Sequence, residues 1–242
     1  MNHMPHVLVV AGSDSSGGAG IVRDIETLAA FGVKAAVAIT AVTVQTHQGV
    51  EHVDAVAPDR VAQQMCAALS ANPIAAIKIG MLATSATIAA VAKVLADHPD
   101  IPVVLDPVLV STSGRALLLP DATDALLELF SSCTLVTPNL PELSVLAAVR
   151  GSVPDQARSL LTAGAKAVLV KGGHANGMEA IDILFQPKQP EQHFASPRLT
   201  ATMRGTGCML STAIAARLAF GDPLSSAIAE AKAFVHGKLR ET

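Results

Sequence analysis

Short apolar runs alternate with longer Ala-rich segments of helical period along most of the 242-residue chain. The runs at 6–11, 34–40, 75–79, 103–105, 134–137 and 167–170 are rich in Val, Ile and Leu and lack polar alternation. That is the pattern of a strand covered on both faces of a parallel sheet. Segments 21–31, 60–71, 85–96, 122–130, 140–148 and 155–162 repeat apolar residues at helical spacing. The alternation predicts an α/β fold with a mainly parallel central sheet flanked by helices. Beyond Val170 the rhythm changes. Runs 181–185 and 192–195, separated by the polar stretch 186–191, predict antiparallel edge strands, and two closing helices follow at 207–220 and 223–239. No repeat, low-complexity tract or linker divides the chain, so residues 1–242 are expected to form one domain.

Composition narrows the class of protein. Hydrophobic residues make up 50% and charged residues 15%, and a chain of this length buries roughly three quarters of its unfolded surface. No apolar run approaches the ~20 residues of a membrane span, because Lys, Asp, Gly or Pro interrupts each one. Residues Met1 to His6 lack a basic segment and run straight into the first strand, so a cytoplasmic protein is expected. Three cysteines with no C-x-x-C pair argue against a disulfide framework and against structural zinc. A formal charge of −3, no Trp or Tyr and six Phe make nucleic acid an unexpected partner. A small ligand is expected instead.

Two Gly-rich turns point to the chemistry of that ligand. Residues 11–20, Ala-Gly-Ser-Asp-Ser-Ser-Gly-Gly-Ala-Gly, close the first strand, and 204–208, Arg-Gly-Thr-Gly-Cys, open an apolar helix. Neither fits a P-loop or a dinucleotide fingerprint. Free N–H groups at a helix start, with glycines that admit an anion, make Gly205, Thr206, Gly207 and Cys208 a candidate phosphate cradle. Each turn alone also has a steric reading, as a tight strand-to-helix connection.

Ligands of an open parallel sheet gather beyond the C-terminal strand ends, and the distinctive polar residues fall there. Asp106 ends the fourth run before a Pro and suits magnesium carried by a nucleotide, or caps a turn. Asn139 and Glu142 have capping-box spacing, and also suit a water-mediated contact to metal and phosphates. Lys171 is either a phosphate contact or a solvated surface lysine. Asp24 and Gln45 are harder to explain structurally. Gln45, expected in a loop after the second strand, offers the donor and acceptor that complement an aminopyrimidine edge. Cys208 is either a small buried hydrophobe or a thiol whose pKa falls at the helix start, able to accept a hydroxyl proton during attack on a γ-phosphate.

These residues resemble the hydroxymethylpyrimidine and phosphomethylpyrimidine kinases of thiamine biosynthesis, in the ribokinase-like superfamily. Six motifs in family order carry the likeness: 11–21, Lys78-Ile79-Gly80-Met81-Leu82, Leu105-Asp106-Pro107-Val108, 137–142, Lys171-Gly172-Gly173-His174 and 205–208. Cys208 is the sharpest, since most superfamily relatives place Asp there. The resemblance implies a ribokinase-like three-layer fold and two successive ATP-dependent phosphorylations of 4-amino-5-hydroxymethyl-2-methylpyrimidine. It implies that Gly12, Asp24 and Gln45 hold the pyrimidine between Met81 and Val108. It also implies that Asp106, Asn139, Glu142 and Lys171 surround ATP and Mg2+, with Asp106 and Glu142 towards the metal and Cys208 at the acceptor. A homodimer is the expected assembly. Departures from the family pattern are Val22-Arg23, Ser111-Thr112, Arg204, and an end at Thr242 where the family carries a Gly-rich tail. Arg204 is expected to supply a charge that Thr112 no longer does. A pyridoxal-type kinase and a catalytically silent pyrimidine-binding regulator are the competing readings.

Overall fold

The computed structural model describes residues 4–111, 113–174 and 177–242, so Thr112 and the first three residues lie outside the description. Its main strands are β1 (His6–Ala11), β2 (Lys34–Ile39), β5 (Ile74–Ile79), β6 (Val103–Leu105), β7 (Leu135–Val136), β8 (Val168–Val170), β9 (Glu179–Phe185) and β10 (Gln192–Pro197). They form one sheet in the order β10-β9-β8-β7-β6-β5-β1-β2. Pairing is parallel from β2 to β8 and antiparallel from β8 through β9 to β10. The rhythm of the sequence anticipates both parts.

Alternate side chains of each central strand enter opposite cores. Leu8 and Val10 of β1 pack with Val61 and Met65 of α2 (Pro58–Ala71) and Ile88 and Val91 of α3 (Ser85–Ala96). The same face is covered by α4 (Thr123–Leu129), α5 (Leu140–Leu146) and α6 (Val153–Thr162) through Leu126, Leu143 and Leu160. Val7 and Val9 face the other way, onto Leu28 of α1 (Gly20–Ala30), Ile214 of α7 (Thr206–Ala219) and Ile228 of α8 (Leu224–Arg240). Two apolar interfaces on one sheet make three layers. Each fully buried aliphatic side chain contributes about 1.5–3 kcal/mol, which is why the strands carry so few polar residues.

One element departs from expectation. Residues after β2 form a second, two-stranded sheet, β3 (Ala41–Gln45) paired antiparallel with β4 (Val50–Ala55), and Gln45 ends β3 instead of lying in a loop. Part of the hairpin is inverted relative to ordinary amphipathy. In β3, Val42 and Val44 are about half exposed while Thr43 is buried beside Ala41, so its valines do not mark the buried face.

Candidate functional site

A cavity of about 850 Å³ opens along the C-terminal ends of the parallel strands, within the usual range for small-molecule sites. Its wall includes Gly12, Gln45, Met81, Val108, Asp106, Asn139, Glu142, Lys171 and the whole of Gly205–Cys208. Residues scattered over most of the chain therefore meet in one place.

The first turn builds one end. Gly20 has φ of +58°, and a Cβ there would lie 2.5 Å from the Gly12 carbonyl oxygen. That close approach lets Ile21 N–H donate to Gly12 O at 3.1 Å and starts α1 against the strand end. A Cβ on Gly12 would come 3.1 Å from Met81 Sδ. The turn is joined to the hairpin because Gln45 N–H donates to Ser15 Oγ, and Ser15 Oγ–H to Gln45 O, both at 2.8 Å. Thr43 Oγ1 lies 3.3 Å from Gln45 Oε1. A small apolar cluster joins Ala41, Met81 and Ala83, with Val108 packed against it, and its Met81 and Val108 line the cavity together with Gln45. One face can hold a planar ring and the other can read its hydrogen-bonding edge.

The opposite end is charged. Lys171 Nζ donates to Asp106 Oδ1 at 2.6 Å and stands 3.7 Å from Glu142 Oε2. All three are buried, so the surface-lysine alternative fails. A parallel bridge between Asn139 and Lys171 extends β7 and β8 past their ends and brings these groups together. The capping box is present: Glu142 N–H donates to Asn139 Oδ1 at 2.8 Å and Asn139 N–H to Glu142 Oε2 at 2.7 Å. Glu142 thus both caps α5 and faces Lys171. A Cβ on Gly207 would fall 3.2 Å from Lys171 Nζ and 3.7 Å from Asp106 Oδ2, which sets the start of α7 directly against the charged cluster. Gly205, with φ of +74°, is the N-cap of that helix, one residue earlier than the sequence suggests.

Two carboxylates share one ammonium, and the titration of Glu142 reflects it. Burial pushes Glu142 up to about 7, with Asp106 adding to the effect and Lys171 opposing it. Burial disfavours the Lys171 charge, but Asp106 and Glu142 outweigh it and the ammonium is held above its usual range. The metal-free protein should show this. A carboxyl near 7 when folded and 4.5 when unfolded keeps a proton that the unfolded chain has released. Stability then falls as pH rises from about 4.5 through 7, by up to about 3 kcal/mol. Urea unfolding across that range should reveal the slope, and Glu142→Gln, which retains an acceptor for the cap, should flatten it. A slope that survives Glu142→Gln assigns the effect to another group.

Three residues are placed differently from expectation. Asp24 does not line the cavity: it is fully buried behind the wall, where Lys78 Nζ donates to both its oxygens at 2.8 and 2.9 Å and Thr212 Oγ1 donates at 2.7 Å. Burial pushes the Cys208 thiol up to about 11 instead of down. Lys78 and the Gly20 N–H favour the thiolate, but burial together with Asp24 and Asp106 outweighs them. Arg204 has its charge paired, with Nη2 3.3 Å from Asp14 Oδ2 and Nη1 donating to Ser16 Oγ and Thr46 O at 2.9 and 3.1 Å. It ties the first turn to the segment after β3.

Sequence reasoning gave no role to Lys78 or to the pair Lys232–Asp182, 2.7 Å apart in the cavity wall. Lys232 sits mid-helix among alanines, and only the packing of α8 on the edge of the sheet reveals that it is buried.

The arrangement fits a nucleotide's phosphates at the start of α7 and Lys171, with the under-neutralised carboxylates Asp106 and Glu142 beside them for a divalent cation. Among the described residues no group of three or more His, Cys, Asp or Glu side chains gathers as a protein-only metal cage. An ion here would depend on phosphate oxygens to complete its shell.

Comparison with known proteins gives the same direction. The sequence profile described as phosphomethylpyrimidine kinase matches residues 14–242. A hydroxymethylpyrimidine/phosphomethylpyrimidine kinase of Rhizobium meliloti (strain 1021) is 45% identical over 238 residues, covering 96% of this chain and 89% of that protein. The crystal structure of a phosphomethylpyrimidine kinase from Clostridium difficile 630 superposes with a TM-score of 0.83 at 33% identity, over 98% of this chain and all of that one. The ADP complex of a Bacillus subtilis pyridoxal kinase superposes at 0.86 with 31% identity, over 96% of this chain and 90% of that one. The fold is ribokinase-like, and it is shared by phosphomethylpyrimidine and pyridoxal kinases.

Proposed function

Since the chain belongs to the phosphomethylpyrimidine kinase family, we propose that it transfers the γ-phosphate of ATP to 4-amino-5-hydroxymethyl-2-methylpyrimidine and then to the resulting monophosphate, forming the diphosphate for thiamine biosynthesis. The observation that carries this reading is the meeting of Lys171, Asp106 and the start of α7 in one cavity with the Gln45–Met81–Val108 wall. In this reading the Gly12 turn and the apolar cluster hold the pyrimidine ring while Gln45 reads its amino edge. Lys171 and the N–H groups of residues 205–208 orient the phosphates and stabilise charge on the transferred group. Asp106 and Glu142 would hold Mg2+, which supplies neutralisation between phosphate oxygens. Cys208 stands at the acceptor hydroxyl and takes its proton in the thiolate form.

Incubation with ATP and each candidate alcohol, followed by mass spectrometry of products, tests the reading. Mono- and diphosphorylated aminopyrimidine support it, phosphorylation of pyridoxal alone replaces it, and binding without turnover leaves a silent regulator. Gln45→Leu should weaken pyrimidine binding by about 1–3 kcal/mol, the cost of an unpaired polar edge, and leave ATP affinity near that of the parent. Calorimetry with each ligand checks this, and equal losses for both would make Gln45 structural.

The whole chain acts as one domain in this reading, and in the cytoplasm. No helix among the described residues is long and apolar enough to cross a membrane. The outward pair Val42 and Val44 offers an apolar strand face for a second copy. Val42→Lys should therefore shift a homodimer towards monomer in sedimentation velocity, and an unchanged species would remove that face from the assembly.

A further inference from the structure

Asp24 and Lys78 are fully buried, and the transfer step described above uses neither. Their position relative to Cys208 follows from helix geometry. Gly20 and Asp24 are one turn apart on α1, and Cys208 and Thr212 are one turn apart on α7, so each pair shares a helix face. The Thr212 Oγ1–H donates to Asp24 Oδ1 at 2.7 Å, and Gly20 N–H faces the Cys208 thiol. The two helices are thus in register, with Asp24 one turn below the thiol. Lys78 comes from β5 and is fixed by both carboxylate oxygens. Its ammonium curls back to within 3.0 Å of where a Cβ on Gly80 would sit, so glycine at 80 leaves room for it.

We propose that Asp24 and Lys78 form a buried charge pair that sets the ionisation of Cys208 from one helical turn away, which makes Asp24 a positioning residue and not a pyrimidine contact. Four charged groups face the thiol from separate elements: Asp24 on α1, Lys78 on β5, Asp106 beyond β6 and Lys171 beyond β8. Lys78 is the largest influence favouring the thiolate. Its own charge is opposed by burial but secured by Asp24, with Cys208 and Asp106 contributing. The thiolate in turn stabilises the ammonium, so thiol and lysine are linked. Asp24 holds the ammonium in place, and Thr212 holds Asp24.

The rate of Cys208 alkylation by iodoacetamide, read by peptide mass spectrometry in the ligand-free protein, reports its thiolate fraction. Cys66, exposed on α2, is the control within the same molecule. The neutral pair Asp24→Asn/Lys78→Met should slow Cys208 at pH 8 by more than about threefold relative to Cys66, because the loss of Lys78, the larger influence, outweighs the loss of Asp24. Lys78→Gln alone, which keeps a donor to Asp24 but removes the charge, should slow it as well, because the group that most favours the thiolate is gone while Asp24 remains. A rate within about threefold of the parent in the double variant, less than half a unit, overturns the proposal. If the double variant does not fold, Lys78→Gln decides alone: slowing by more than about threefold supports the pair, and a rate within about threefold of the parent overturns it. This readout needs no substrate and so stands apart from the kinase reading, on which the second measurement rests. Asp24→Asn should bind 4-amino-5-hydroxymethyl-2-methylpyrimidine within about threefold of the parent while kcat changes, whereas loss of a direct contact would weaken binding by about tenfold or more.

Discussion

Cys208→Ala should lower kcat for the pyrimidine alcohol by at least about 10²-fold, the lower end for removal of a general base, while ATP affinity and melting temperature stay close to those of the parent. The side chain lines the cavity and is only partly covered, so its truncation leaves no closed void in either core. The structure sharpens the prediction. A thiol at about 11 is almost wholly protonated at neutral pH, so turnover of the parent should climb with pH through the neutral range as the thiolate grows. The Ala variant should lose that climb along with its rate. Single-turnover rates between about pH 6 and 9 measure both effects. Near-normal turnover with an unchanged pH profile would reduce Cys208 to packing.

Gly205→Ala should have the second largest effect, through the backbone. Its φ of +74° lies where L side chains are strained, and its Cβ would sit 2.5 Å from the Gly18 carbonyl oxygen and 3.1 Å from Ala19 Cα. Strain of this kind costs about 1–3 kcal/mol, and relief requires one Gly-rich turn to move off the other. A displacement near 1 Å in a positioning element costs about 10²-fold, so kcat/KM should fall by about that factor together with a lower melting temperature. Gly221→Ala is the control, since Gly221 has φ of +87° but nothing within 4 Å of an added Cβ. It carries conformational strain without the clash. If Gly205→Ala retains activity as well as Gly221→Ala does, contact between the turns has no part in the chemistry.

The main sheet was legible in the sequence because each central strand is buried on both faces, which forces an uninterrupted apolar run wherever a strand lies. The existence of β1, β5, β6, β7 and β8 needs only those runs with helices between them, whereas the place of β1 between β2 and β5 comes from the structure. Most of the candidate site was legible too, since Gly12, Asp106, Asn139, Lys171 and Gly205–Cys208 fall at strand ends or a helix start, and local pattern marks such places. The hairpin β3–β4 was not, because in β3 the valines Val42 and Val44 face out and Thr43 faces in. The Asn139–Glu142 spacing left a cap and a ligand contact as alternatives, and the structure gives one carboxylate both positions at once.

By itself the sequence determined the class of fold, the edge at which ligands collect and the residues available there, because these depend on periodicity and on the steric demands of glycine and proline. Tertiary structure alone decided which charges meet. Asp24, Lys78, Thr212 and Cys208 lie on three different elements, and only the packing of α1 and α7 on β5 takes the carboxylate away from the cavity and buries the ammonium with it. Burial also reversed the expectation for the thiol, since the gain from a helix start is local whereas desolvation and the fields of Asp24 and Asp106 come from the whole assembly. Ionisation is set by surroundings in space, and a sequence states only neighbours along the chain.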